Sequence, residues 1–172
     1  MKLSHSLAAL IILISQVALA HPNHEAPPMP KEFDTLKGLV GTWEGKAKMG
    51  GDKEELVKVV YELTSGGTAI VEKLMPGTPN EMVTVYHKDG KTLGMTHYCA
   101  LGNQPHMMLK KADASTMVFE MTKVQGISSI KEPHMHAVTL TMPDKDTLNQ
   151  EWTHFSDGKK SMTVHLSFKR KK

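Results

Sequence analysis

The sequence has little cysteine, few aromatic residues and only one arginine. Cys99 is the single cysteine among 172 residues, so no internal disulfide can form and stability must come from a buried core. Aromatic residues make up 5%, and Arg170 stands alone beside 20 lysines. The formal net charge is only +3, and the last four residues (169–172) are all basic. This distribution excludes the basic footprint of a nucleic-acid-binding protein.

The sequence also lacks an apolar run long enough to span a bilayer comfortably. Its longest run, residues 7–14, follows Lys2 and precedes Ala18-Leu19-Ala20. This pattern is typical of a signal peptide cleaved after Ala20. We expect a periplasmic or secreted chain with no stable membrane insertion after cleavage. Residues 1–20 are predicted to be the signal peptide, 21–32 a flexible leader with four prolines, and 33–172 a single domain.

Turn signals recur along that domain at the spacing of β-strands. They include Asp89-Gly90 and Asp157-Gly158, which predict tight hairpins. The runs between them are rich in Val, Thr, Ile, Leu and Met, and a long helical period is absent. A short helical turn is predicted near residues 33–39. We expect an all-β fold, a single antiparallel up-and-down barrel of about ten strands, because closure removes exposed strand edges.

Alternation assigns several polar side chains to the inside of the barrel. In the last predicted strand, Met162, Val164, Leu166 and Phe168 share one face, which we expect to point inward. Five polar residues are in phase with inward apolar residues of their own strands: Glu72, His97, His134, His136 and His154. Such residues need partners when buried. They therefore indicate either a polar pocket in the lumen or a structural hydrogen-bond network.

The densest polar segment, residues 96–107, leaves a strand and enters a loop with Gly, Asn, Gln and Pro. A barrel mouth presents recognition groups on such loops. The candidate ligand-binding residues are Glu72, His97, Tyr98, Cys99, Asn103, Gln104 and His154. The candidate metal ligands are His97, His134, His136 and His154, and imidazole favours copper or zinc. The abundant methionine is interpreted as core filler.

Enzymatic signatures are missing from the sequence. It contains no G-x-S-x-G, H-E-x-x-H or phosphate-binding glycine loop. Cys99 paired with a histidine could form a nucleophilic dyad, but a buried structural thiol is the favoured interpretation. An acid–base pair of Glu72 and a histidine remains the enzymatic alternative.

Gly41-Thr42-Trp43 follows the predicted helical turn and opens the first strand. This motif resembles the G-x-W signature of lipocalins and the wider calycin barrels. The longer stretch 41–45 and the block 82–107 resemble exported lipocalin-like domains of unknown function and, more distantly, nitrobindin-type haem barrels. The nitrobindin resemblance implies haem binding through a histidine near the C-terminus, here His165, and chemistry on peroxide or nitrogen oxides. Alternation, however, places His165 on the outer face with Thr163 and Ser167.

The leading functional hypothesis is an exported lipocalin-like protein that holds a small molecule or a metal ion in a histidine-lined lumen. A haem barrel and a lumen-based enzyme are the alternatives. Trp43 and Arg170 have a predicted structural role. Closure pairs the first strand with the last, so the guanidinium is expected to lie on the indole and to donate to nearby carbonyls.

Overall fold

The structure, a computed structural model, describes residues 28–48 and 54–172. The predicted signal peptide and most of the leader lie outside these residues. Within these residues, one short α-helix precedes ten strands, and a 3₁₀ turn, Ser65–Gly67, joins the second strand to the third. Helix α1 spans Glu32–Lys37. The strands are β1 (Gly41–Lys48), β2 (Glu54–Thr64), β3 (Ala69–Leu74), β4 (Met82–Asp89), β5 (Thr92–Tyr98), β6 (Gln104–Ala112), β7 (Thr116–Gln125), β8 (His134–Asp144), β9 (Thr147–Ser156) and β10 (Lys159–Arg170).

The ten strands form a closed antiparallel barrel, which confirms the predicted fold class. Each strand pairs with its neighbours in sequence, and β1 pairs with β10 to close the sheet. Both predicted hairpins form. Asp157 and Gly158 have φ values of 54° and 74° in the two-residue turn after β9, and Gly90 has a φ of 59° after β4. Left-handed backbone of this kind matches the twist of the strands that it joins.

The alternation predicted for the last strand is present. Val164, Leu166 and Phe168 are buried inside the barrel, whereas His165, Ser167 and Lys169 are exposed. Met162 begins the same inward series but is 38% exposed, because it lies at the rim. The inward faces of all ten strands contribute to one core.

Helix α1 closes one end of the barrel. Its apolar side chains Phe33 and Leu36 are fully buried, and Leu39 follows them into the core. The Trp43 indole nitrogen donates to the Leu39 carbonyl at 2.8 Å, which fastens the segment after the helix to the first strand. The turns at the opposite end, including those after β3, β5 and β9, surround the barrel mouth. None of the helices in the described part of the chain has the length and apolar character needed to cross a bilayer.

Candidate functional site

The middle of the lumen is filled by a buried polar network centred on Glu72. One carboxylate oxygen accepts from the Tyr86 hydroxyl at 2.6 Å, and the other accepts from the Gln150 amide at 2.8 Å. The same amide nitrogen donates to the Tyr61 hydroxyl at 2.6 Å, and the Gln150 oxygen accepts from the Trp152 indole at 2.9 Å. These groups satisfy one another across the barrel, so the network stabilises the lumen and occupies its middle.

Burial controls the ionisation of this network. It raises the pKa of the Glu72 carboxyl, although the hydrogen bonds from Tyr86, Gln150 and Tyr61 act in the opposite direction. Burial and the charge of Glu72 raise the pKa values of Tyr61 and Tyr86 well above 10.0. Both tyrosines therefore remain hydrogen-bond donors at neutral pH. No histidine in the described residues is a hydrogen-bond partner of Glu72, so the structure does not assemble the predicted acid–base pair.

His97 lies nearer the mouth, at the upper boundary of this filled region. Its ring is buried, 4.6 Å from the Trp152 ring between centroids, and its Nδ1 is 2.9 Å from the Thr84 hydroxyl. Burial lowers the pKa of His97 to about 4, so the imidazole is neutral at physiological pH. A void of about 30 Å³ lies beside it. That volume accommodates a single water molecule.

Above the void, the barrel opens into a pocket of about 360 Å³, which we call the mouth pocket. It is lined by Glu55, Met75, Asn80, Met82, Cys99, Ala100, Leu101, Met135, His154, Met162 and Val164. Met82, Met135 and Val164 also line the void below, so these three side chains form the floor. Two further depressions, of about 450 and 500 Å³, lie on the outer face of β1 and its neighbours among charged side chains. A third depression, of about 310 Å³, lies at the closed end around Trp43 and Arg170. The mouth pocket is the one that opens above the lumen, and its walls are mainly apolar.

Two predicted site residues, Cys99 and His154, line the mouth pocket. Burial raises the pKa of the Cys99 thiol, which favours its uncharged form. His154 Nδ1 lies 2.6 Å from the Ser161 hydroxyl. Burial and the neighbouring His134 lower the pKa of His154. Both side chains therefore present neutral groups to the pocket at pH 7.

The prediction that His134 and His136 point into the lumen is wrong, because a β-bulge reverses the phase of β8. Met135 pairs with His154, but the next pair is Ala137 with Thr153, so an extra residue intervenes. Met135 consequently faces the mouth pocket, and His134 pairs with Phe155 on the outer face. The His136 ring stacks on Phe155 with centroids 3.9 Å apart. The four predicted histidines therefore do not line one cavity.

The remaining candidate ligand residues lie around the β5–β6 turn. Tyr98 is 51% exposed. Asn103 is buried and donates through its amide to the Pro133 carbonyl at 2.8 Å, which connects this turn to the β7–β8 loop. Gln104 donates to the Gly102 carbonyl at 3.2 Å within the turn. None of the three lines the mouth pocket.

His165 does not fit the haem alternative. Its side chain is 60% exposed on the outer face, where Nδ1 lies 3.6 Å from a carboxylate oxygen of Glu151. The lumen behind this strand is occupied by packed side chains rather than by a haem-sized space. Among residues 28–48 and 54–172, no three His, Cys, Asp or Glu side chains come close enough together to hold a metal ion. The predicted four-histidine metal site is therefore not assembled.

Sequence reasoning placed Met162 on the inward face of the last strand but did not identify methionines as the lining of a pocket. Met82 is also in phase with the inward residues of its strand, so alternation could have found it too. The bulge hid Met135, and Met75 follows the end of β3 in a left-handed conformation with a φ of 53°. Interpreting all methionine as core filler concealed their concentration at one end of the barrel.

Comparisons with known proteins show a similarity in fold only. No family model and no curated protein sequence matches the chain. Among solved structures, Rv2717c from Mycobacterium tuberculosis is similar with a TM-score of 0.59 and 13% identity, covering 84% of this chain and all of that one. A protein of unknown function from the DUF3598 family of Nostoc punctiforme has a TM-score of 0.55 and 11% identity, covering 79% of this chain and 49% of that one. At these identities the likeness shows that the chain shares a barrel fold with both proteins.

Proposed function

We propose that the protein is an exported binding protein that holds a small, predominantly apolar molecule in the mouth pocket. The observation that carries the proposal is an open apolar pocket of about 360 Å³ above a lumen that is already filled. Ligand sites in proteins range from about 300 to 1,000 Å³, so this pocket suits a molecule of one or two rings or a short acyl chain.

The composition of the walls supports an apolar ligand. Four of the lining residues are methionines, whose flexible and polarizable thioethers adapt to ligands of different shape. His154, Asn80 and Glu55 add polar groups at the same pocket and supply points for hydrogen bonds that fix orientation. The exposed Leu101 and Met162 at the rim offer apolar surface that a bound molecule would cover.

The two tryptophans lie at opposite ends of the barrel and provide a built-in reporter. Trp152 lies under the floor of the mouth pocket, whereas Trp43 lies at the closed end. In a Trp43→Phe background, we expect 1-aminoanthracene to quench Trp152 fluorescence with saturation. In a Trp152→Phe background, the Trp43 signal should change much less. Equal quenching in both backgrounds would place the probe elsewhere.

A charged substitution tests the position of the ligand. Met162→Glu puts a carboxylate at the apolar rim and should weaken probe binding at least about tenfold, because the ligand would desolvate the charge. Val40→Glu is the matched control, since Val40 is also 38% exposed but lies next to the closed end. If both variants bind the probe as the unmodified protein does, the mouth pocket is not the binding site.

Export is the second part of the proposal and has its own test. Fractionation of the producing cell should recover the chain outside the cytoplasm, and sequencing of its N-terminus should begin at His21. Recovery in the cytoplasm with Met1 retained would overturn export without affecting the pocket.

A further inference from the structure

The described residues contain three buried side-chain nitrogen or oxygen atoms without a hydrogen-bond partner, and the residues that carry them are neighbours: Asn103 donates to the carbonyl before His134, and the rings of His134 and His136 are 5.8 Å apart. The three atoms are Asn103 Oδ1, His134 Nε2 and His136 Nδ1. His134 is only 1% exposed and Asn103 2%. Buried polar atoms are rarely left without partners, because each such atom costs about 1–3 kcal/mol. Three of them together indicate a group that they bind.

We propose that Asn103, His134 and His136 form a binding site for a divalent transition-metal ion, Zn²⁺ or Cu²⁺, on the outer face of β8. Two imidazole nitrogens and one amide oxygen would bind the ion, and water would complete its coordination. This site is separate from the mouth pocket and does not depend on the proposed small-molecule binding.

The orientation of His134 supports metal binding. Its Nδ1 donates to the Glu132 carbonyl at 2.7 Å, and its Nε2 has no hydrogen-bond partner. Metal-binding histidines typically donate their second ring nitrogen to a carbonyl or carboxylate in this way, which fixes the direction of the ring. The ring of His134 is therefore held as a metal ligand would be.

The second ring lies at a suitable distance. The centroids of His134 and His136 are 5.8 Å apart. With metal–nitrogen distances near 2.0–2.1 Å, two imidazoles on one ion have centroids separated by about 5–6 Å. The bulge in β8 and the stacking of His136 on Phe155 hold the second ring beside the first. The two rings are thus held side by side in the folded chain.

Asn103 is brought to the pair by its own hydrogen bond. Its amide nitrogen donates to the Pro133 carbonyl, one residue before His134, and its oxygen stays unpartnered. Glu120, on the adjacent strand β7, pairs with Ala137 and adds negative charge close to His136. An amide oxygen and a nearby carboxylate both favour a cation over a neutral ligand.

A second pair of neighbouring imidazoles provides the matched control. The rings of His87 and His106 are 6.0 Å apart between centroids, close to the separation of the first pair. His106, however, has both nitrogens engaged, with Thr96 at 3.1 Å and with Asp89 at 3.0 Å. His87 Nδ1 lies 2.9 Å from the Lys88 carbonyl. The control pair therefore has similar spacing, but one of its two rings, His106, has no free nitrogen to offer a metal ion.

Titration of the untagged full chain with Zn²⁺ tests the site, with His21 and His24 replaced by Gln in every sample to remove binding by the leader. We expect one ion per chain. His134→Gln and His136→Gln should each weaken binding at least about tenfold, whereas His106→Gln and His165→Gln should not. Loss of binding in His106→Gln alone, or equal binding in all four variants, would overturn the proposal.

Thermal unfolding and NMR complete the test in case His134→Gln does not fold. Zn²⁺ should raise the Tm of the unmodified chain and leave that of His136→Gln unchanged. In ¹⁵N spectra of the imidazole rings, Zn²⁺ should shift His134 Nε2 and His136 Nδ1 and leave His106 unaffected. An unchanged spectrum and an unchanged Tm at millimolar Zn²⁺ would show that the three atoms are satisfied by water instead.

Discussion

The Arg170 guanidinium lies over the Trp43 indole, with its central carbon 4.1 Å from the ring centroid, at the point where the first and last strands close the barrel. Its nitrogens donate to the carbonyls of Gly38, Val40 and Lys145. One side chain thus connects the segment after helix α1, strand β1 and the β8–β9 turn. A planar cation with several donors is needed for this combination of stacking and hydrogen bonds.

Arg170→Lys should lower the stability of the barrel while leaving binding at the mouth intact. Lysine cannot stack on the indole or reach three carbonyls, so a loss of about 1–2 kcal/mol is expected, which corresponds to a Tm lower by roughly 2–8 °C. Differential scanning calorimetry measures the shift. Lys58→Arg, an exposed exchange of the same two residue types, should change Tm by much less. An unchanged Tm in Arg170→Lys would mean that the pairing contributes nothing.

The closure that joins Trp43 to Arg170 could be predicted from sequence, because an antiparallel barrel with sequential strands has one way to close. The alternation of inward and outward residues along each strand also placed His97 and Glu72 inside the barrel. It failed at His134, because a bulge adds one residue to a strand and reverses every side chain before it, and alternation carries no signal for the insertion. It also could not reveal that the lumen is filled, since that depends on contacts such as Gln150 with Glu72, 78 residues apart.

Acid should destabilise the protein through His97. Its folded-state pKa is about 4, below the ordinary value of 6.5, so the unfolded chain takes up a proton between these pH values while the folded chain does not. The stabilising effect of the neutral ring is therefore complete above pH 6.5 and is lost as the pH falls to about 4. The full loss is about 3 kcal/mol.

Urea unfolding at pH 7 and pH 4.5 measures this loss. His97→Gln cannot be protonated and should show a smaller fall in the free energy of unfolding between the two pH values. His165→Gln, at an exposed position, should retain the fall of the unmodified protein. If His97→Gln and His165→Gln lost the same free energy of unfolding between the two pH values, the acid sensitivity would come from other groups.

Glu72 should give the opposite dependence on pH. Burial raises its folded-state pKa above the ordinary value of 4.5, so the folded chain holds this proton more tightly than the unfolded chain. Its contribution to stability is therefore complete below pH 4.5 and declines as the pH rises through the raised pKa. Glu72→Gln should remove that decline. The difference in free energy of unfolding between Glu72→Gln and the unmodified protein should therefore shift in favour of the variant as the pH rises from 4.5 to 8.

The matched comparison for Glu72 is its replacement by an apolar side chain. Glu72→Leu leaves Tyr86 and Gln150 without their acceptor and should lose about 1–3 kcal/mol for each orphaned group. Glu151→Gln, on the outer face, should leave the pH profile unchanged. If Glu72→Leu were as stable as Glu72→Gln, hydrogen bonding within the lumen would not be what holds the network together.

Gly45 lies so close to the backbone of β10 that a side chain does not fit there. A Cβ at this position would overlap the Ser167 carbonyl oxygen and lie 2.8 Å from Phe168 Cα, both in the backbone of β10. Gly45 pairs with Phe168 on one side and with Val57 on the other, so strand β1 cannot move away without breaking a pairing. Gly45→Ala should therefore lose about 3 kcal/mol or more of folding stability, or fail to fold, because the clash falls on rigid backbone.

Lys46→Ala, at the next and exposed position, should change the Tm little. Thermal unfolding of the two variants side by side decides the matter, and a Gly45→Ala variant as stable as Lys46→Ala would show that β1 and β10 lie farther apart at this point.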